Sequence, residues 1–239
     1  MSNMFIDGKR IADEDIYLKE DRYDKPKEVH KFLAKIILQI PLSKEASLLD
    51  VGCATGEFIY YLKSQDPNMK LYGMDISEKM VLQARKMVKG TQFQVQSILN
   101  PPLWSGEKFD FIVCNGVLSI FDDIEEQLRN LIMTAAPDGR VLVSDSFNED
   151  PIDLIMRYRR VSEAVGEWET GWNYFSQRTI ENIARYFKKN VRWHEFRLPF
   201  SIDKGEDPMR SWTIKTEKNS HQIVVGTKQM ISSYVAEIY

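Results

Sequence analysis

Between residues 47 and 146, short apolar runs alternate with stretches of helical period. This alternation constrains the fold more than any other feature of the chain. "SLLDV" (47–51), "KLYGMD" (70–75), "QFQVQS" (92–97), "FDFIVCN" (109–115) and "GRVLVSDS" (139–146) have the length and content of strands. "GEFIYYLKSQ" (56–65), "SEKMVLQARKMVKG" (77–90) and "DDIEEQLRNLIMTA" (122–135) space their apolar residues as helices do. Ser77 is placed to cap the second of these and Gly90 to stop it. The alternation predicts an α/β fold, a parallel sheet with helices on both faces. Sheets of this kind bind ligands beyond the carboxyl ends of their strands, at the switch point beside the first strand.

The flanks read differently. Residues 25–40 predict an amphipathic helix, opened near Pro26 and ended by Pro41. Residues 151–175 are rich in aromatics and arginines and read as a helical insertion. Residues 176–190 return to a capped helix, and 192–200 and 221–229 read as two closing strands. A polar excursion lies between them, with a short strand at "SWTIKT". We find no internal repeat. The expected organisation is one domain over 1–239, with 1–45 as a helical lid and 147–178 and 201–218 as caps over the substrate.

Charge and cysteine content narrow the function. A formal charge of −3 argues against a dedicated nucleic-acid binder, which needs a basic face. Cys53 and Cys114 are the only cysteines; they are too few for a disulfide scaffold and wrongly spaced for zinc, so a reducing cytoplasm is expected. No uninterrupted apolar run approaches the roughly 20 residues of a membrane span, and the acidic start does not resemble a signal peptide. No acid set suggests a bound metal.

The turn "LLDVGCATGEF" (48–58) carries the chemistry. A glycine turn after the first strand lets a ligand approach backbone N–H groups at a helix start. The dinucleotide pattern G-x-G-x-x-G fails here, because counting from Gly52 gives Ala54 and then Glu57. A pyrophosphate would face Asp50 and Glu57, two like charges. A cationic ligand reverses that argument. S-adenosylmethionine carries a sulfonium and an ammonium that Asp50 can face, while Gly52, Ala54 and Gly56 let the chain turn beneath it. Asp75 ends the second strand, 19 residues after Gly56, and suits a pair of ribose hydroxyls. Ile76 can lie on an adenine face. Ser97 and Ile98 are placed for the adenine edge, although Ser97 also suits an ordinary turn. Asn115 and Gly116 fall near the methionine portion, although Asn115 can equally stabilise its own turn.

"LLDVGCATGEF", "LYGMDIS", "FDFIVCNGVLSIFDD" and "PDGRVLVSDS" together resemble the successive motifs of class I S-adenosylmethionine-dependent methyltransferases. The resemblance spans about residues 45–146, with 176–229 fitting the tail of the fold. It implies a Rossmann-like seven-stranded sheet whose last strand is antiparallel. It also implies a cofactor loop of Asp50, Gly52, Cys53, Ala54 and Gly56, with Asp75 on the ribose. This sequence departs from the pattern at Ala54, where a glycine is usual, and at Ser97, where an acid is common.

Methyl transfer from a sulfonium is an in-line substitution, so the protein must align a nucleophile and exclude water. Tyr23, His30 and Tyr174 are the candidates for handling a proton; His194 and His221 suit structural roles. Tyr17, Tyr23, Trp172, Asn173, Tyr174, Arg178, Arg210 and Trp212 are the expected substrate contacts, as aromatic walls with a few charges. Arginines in the insertion can clamp a phosphate or carboxylate, or stay solvated. "NPPLW" (100–104) has the letters of an amino-methylating motif but precedes the fourth strand, so it reads as a loop. The expected activity is methylation of an O or N of a small polar metabolite, with RNA or protein methylation and a non-catalytic partner subunit as alternatives. The oligomeric state is left open.

Overall fold

The computed structural model describes residues 17–41, 45–159, 161, 168–207 and 210–239. The remaining parts of the expected lid and caps lie outside these described residues. The elements follow the predicted order: α1 (Glu28–Gln39), β1 (Ser47–Val51), α2 (Glu57–Gln65), β2 (Lys70–Asp75), α3 (Glu78–Met87), β3 (Gln92–Val95), β4 (Phe109–Asn115), α4 (Glu125–Thr134) and β5 (Ala135–Asn148). Next come β6 (Phe175–Ser176), α5 (Gln177–Tyr186), β7 (Val191–Phe196), β8 (Trp212–Ile214), β9 (Gln222–Val224), β10 (Met230–Ile231) and β11 (Ser233–Ile238).

The main sheet has the order β3-β2-β1-β4-β5-β11-β7, with β6 a short addition beside β5. β1, β2, β3, β4 and β5 are mutually parallel, and β11 runs antiparallel to both β5 and β7. Both faces are covered. Leu49 and Val51 join the cluster under α4 and α5, whereas Leu48 joins the cluster under α1, α2 and α3. The local signals hold: Ser77 caps α3 by accepting from the Met80 N–H at 3.3 Å, and Ser176 caps α5 by accepting from Arg178 N–H at 2.9 Å.

Two expectations need correction. The final sheet strand is β11 and not 221–229, which contributes β9 to a separate three-stranded sheet, β10-β9-β8. The acid in "SYVAEI" hid the true strand. Glu237 is fully buried there, and Arg140, Arg192 and His194 lie at 3.2, 3.3 and 2.8 Å from its carboxylate. The two arginines, from the two neighbouring strands, replace the water it loses. The insertion is the second. Its described residues form no helix but two extended arms, bridged at Leu154–Tyr174 and Tyr158–Glu169. Four residues separate the bridges on one arm and five on the other, so the ladder slips by one residue.

Candidate functional site

β1 lies between β2 and β4, and the chain leaves its end through Gly52. Gly52 has φ +79°, and a Cβ there would lie 2.4 Å from Val117 Cγ2. Only glycine meets both conditions. Ala54 also takes a left-handed conformation, with φ +47°, which costs a non-glycine residue about 1–2 kcal/mol. The Gly52 and Cys53 N–H groups both donate to Met74 O, at 2.8 and 3.0 Å. Asp75 Oδ2 accepts from Ala54 N–H at 2.9 Å, and Oδ1 accepts from Ser77 N–H at 2.9 Å. The ribose candidate therefore also ties β2 to the loop.

A cavity of about 640 Å³ opens over this loop, within the usual range for small-molecule sites. Of the expected cofactor residues, Asp50, Gly52, Cys53, Ala54, Asp75 and Ile76 line it, as do Ser97, Ile98, Asn115 and Gly116. Gly56 does not. It turns the chain into α2 at φ +81°, with Ala84, Phe93 and Val88 where a side chain would go. Ser97 lines the cavity and also serves its turn, accepting from Leu99 N–H at 3.2 Å.

Electrostatics single out Asp50. It is only 3% exposed. Burial, and then the neighbouring Asp75 charge, push its carboxyl up to about 8. Two acids at one end of a cavity, one of them held short of its charge, favour a ligand with positive charge there. The donor set therefore fits S-adenosylmethionine and opposes a pyrophosphate.

The segment before α1 closes one side. Tyr23 Oη donates to Thr55 O at 2.8 Å, Arg22 N–H donates to Glu57 Oε1 at 2.8 Å, and Lys27 sits between Glu20 and Glu57 at 2.5 and 4.0 Å. Lys27 also stands 4.7 Å from the Tyr17 ring. Burial raises the Tyr23 hydroxyl. Tyr17 lines the cavity, whereas Tyr23 lies beneath the loop. His30 lines it too, and burial, then Lys27, pull its imidazole down to about 3. Such a group stays neutral at ordinary pH and is a feeble proton acceptor. Its Nδ1 is enclosed with no hydrogen-bond partner among the described residues.

The other expected substrate residues lie outside the cavity wall. Tyr174 is packed with Val225 and Ile231, and its hydroxyl accepts from Ser232 N–H at 3.1 Å. Trp172 packs against the same cluster. Asn173 is 1% exposed and bonded to the chain around it. Arg178 pairs with Glu181 and Arg210 with Asp207, both at the surface. Trp212 belongs to β8, under Lys204. Asn173 and Tyr174 are bonded within their own surroundings because the described arms of the insertion pair with each other and with the chain beside the cavity. "NPPLW" proves to be a turn clasped by Gln96, whose amide donates to Asn100 O and Pro102 O and accepts from Trp104 N–H.

Sequence reasoning missed Lys27, Thr55, Phe58, Val117, Ile120 and Phe121 in the cavity wall. Thr55 and Phe58 were within the quoted motif, and Val117 to Phe121 directly follow Asn115 and Gly116. Chain adjacency was the available signal for these; Lys27 had none.

The description "Methyltransferase domain" belongs to a family model that matches residues 18–188. A malonyl-[acyl-carrier protein] O-methyltransferase of Bacillus cereus is 27% identical over 173 residues, covering 68% of this chain and 64% of that protein. A trans-aconitate 2-methyltransferase of Variovorax paradoxus is 28% identical, covering 52% and 48%. The chain thus spans from about half to just under two thirds of the length of these relatives. Among solved structures, the DhpI-SAM-HEP complex superposes with a TM-score of 0.62 at 13% identity, covering 100% of this chain and 99% of that one. Magnesium protoporphyrin IX methyltransferase of Synechocystis gives 0.56 at 15%, covering 88% and 81%. Those two show the shared fold. With the family match over most of the chain, the strand order and the acid-flanked loop, the protein belongs to the methyltransferase-domain family and has the architecture of class I S-adenosylmethionine-dependent methyltransferases.

Proposed function

We propose that the cavity binds S-adenosylmethionine and that the chain directs its methyl group to an O or N of a small polar acceptor bearing a carboxylate or phosphate. The observation that carries this reading is Asp50, a buried carboxyl raised to about 8 at the mouth of the β1 loop. When bound, the cofactor supplies an activated methyl on a sulfonium. Asp50 would face the cationic amino-acid end, Asp75 the ribose, and Ile76, Ser97 and Ile98 the adenine. Asn115 and Gly116 would border the methionine portion. An ammonium near Asp50 favours the charged carboxylate, so binding would drive off the proton that the unligated protein holds.

The rest of the wall, including Tyr17, His30, Phe58, Ile120 and Phe121, is largely apolar and would exclude water from the transfer. Neutral His30 would offer no proton abstraction, so the reading favours an acceptor that is already ionised or carries a free lone pair. A carboxylate satisfies that condition. The names of the two curated relatives, which specify malonyl and aconitate acceptors, support the same class. In this reading residues 1–45 are a lid within one domain, and its described part is latched to the loop through Tyr23 and Arg22.

Calorimetry tests the cofactor and a labelled-methyl screen tests the acceptor. Wild-type protein should bind S-adenosylmethionine, and the screen over small carboxylates and phosphorylated metabolites should return methylated product. Absence of cofactor binding by wild type would overturn the proposal. Product formed only on uncharged acceptors would overturn its acceptor class.

A further inference from the structure

The described residues of the two bridged arms, 154–159 and 168–174, do not line the cavity, yet they hold part of the wall that does. After β4 the chain passes through a tight turn, with Gly116 N–H donating to Ser144 O at 2.8 Å and Phe121 N–H to Leu118 O at 3.1 Å. Ile120 and Phe121 face the cavity from this turn. Two carbonyls of the turn are taken by one residue of the hairpin. The Asn173 main-chain N–H donates to Ser119 O at 3.0 Å, and its side-chain Nδ2 donates to Phe121 O at 2.6 Å. The two carbonyls bracket Ile120.

The same side chain explains the slip in the hairpin ladder. Asn173 Oδ1 accepts from Met156 N–H at 2.8 Å, so an amide side chain stands where a regular ladder has a carbonyl. Asn173 thereby joins both hairpin arms to the turn. Around it, Arg157 donates to Met156 O at 2.8 Å and Thr170 Oγ1 at 3.0 Å, and pairs with both oxygens of Asp122. From below, Asp145 accepts from Ser119 N–H at 3.1 Å. No smaller or differently shaped residue supplies two donors and one acceptor at these places.

We propose that Asn173 is a positioning residue for the acceptor end of the cavity, setting Ile120 and Phe121 through the carbonyls on either side of Ile120. The proposal rests on the reading of the cavity given above. Asp50, Asp75 and the β1 loop take the cofactor, which leaves the wall at 120–121 to the acceptor. Arg157 and Asp122 form the outer part of the same clasp. The described arms of the insertion would therefore govern acceptor recognition through the turn that they hold.

The test compares wild type, Asn173→Ala and Arg157→Ala in the full chain. Arg157 is at the periphery, so its variant remains informative if Asn173→Ala fails to fold. Hydrogen exchange needs no acceptor: amides of 117–122 should exchange at least about tenfold faster in each folded variant, with β1 and β2 unchanged. S-adenosylhomocysteine affinity, measured by calorimetry, should stay within about threefold. With the acceptor returned by the methyl-transfer screen, acceptor KM should rise about tenfold while kcat and the cofactor KM stay within about threefold. Unchanged exchange at 117–122, uniform loosening of the whole chain, or a fall in kcat at constant acceptor KM would each overturn the positioning role. Failure of wild type to bind the cofactor would instead overturn the proposed function, and the exchange result would still decide whether the clasp exists.

Discussion

Asp50 and Glu237 stand on one cross-strand row of the sheet. Asp50 pairs in register with Val113, Val113 with Leu142, and Leu142 with Glu237. Both carboxylates are buried, yet their surroundings differ. Glu237 is met by Arg140, Arg192 and His194. Asp50 has another acid, Asp75, as its charged neighbour, and its carboxyl rises to about 8. Strand length explains the contrast. β1 stops at Val51, so Asp50 opens onto the cavity, whereas β5 continues to Asn148 and keeps Glu237 within the sheet. A buried charge answered by its own fold holds structure together, and one left without a cation waits for a ligand.

The largest effect should come from Asp50→Asn. Removing the acid proposed to face the ligand cation should weaken S-adenosylmethionine binding about 100-fold, or about 2.7 kcal/mol, as read by calorimetry. The same change should raise the stability of the unligated protein at pH 8, which a thermal melt would show. If affinity held and stability fell, the comparison of the two acids would be wrong. Glu237→Gln should do the reverse. Leaving Arg140 and Arg192 without their counterion should cost about 2–3 kcal/mol in denaturant unfolding, below the cost for a fully buried pair because these cations are partly exposed. Cofactor affinity should be unchanged.

The pH dependence sharpens the contrast. Asp50 in the folded, unligated chain keeps its proton until about pH 8, but the unfolded chain loses it near 3.8. Between those values the folded state holds more protons, so this residue lowers stability as pH rises from about 4 to 8. Binding a cation favours the ionised form. Affinity should therefore rise from pH 6 to 8, with proton release detectable as a heat that depends on the buffer. Affinity that did not change over that window would contradict the raised carboxyl.

Smaller effects should follow from the loop's supports. Tyr23→Phe removes the hydroxyl bond to Thr55 O and should weaken cofactor binding about fivefold, near 1 kcal/mol. Ala54→Gly relieves a left-handed alanine but frees the unfolded chain. Unfolding free energy should change by no more than about 1 kcal/mol, in the stabilising direction.

Much of this site was legible because its signals are local. Asp50, Gly52, Ala54 and Asp75 lie within one strand-turn-helix-strand unit, and a glycine at φ +79° or an acid at a strand end leaves its mark in a short window. Where the residues expected at the substrate would lie was less legible, for the opposite reason. An aromatic or asparagine in the insertion looks the same whether it faces a ligand or a neighbouring carbonyl. Asn173 took the second course, because a slipped hairpin ladder needed its amide. The last strand failed for a related reason: Glu237 interrupts its apolar run, and the cations that permit the burial come from other strands.

The sequence was enough to predict the alternating strands and helices and the acid-flanked turn at residues 50–56, since these depend on periodicity and backbone conformation over a few residues. Only the tertiary structure decided which strand closes the sheet, which side chains face the cavity, and that Asp50 lies beside a second acid while Glu237 lies among cations. Those outcomes depend on long-range partners, and the energy of a buried charge is set by what surrounds it.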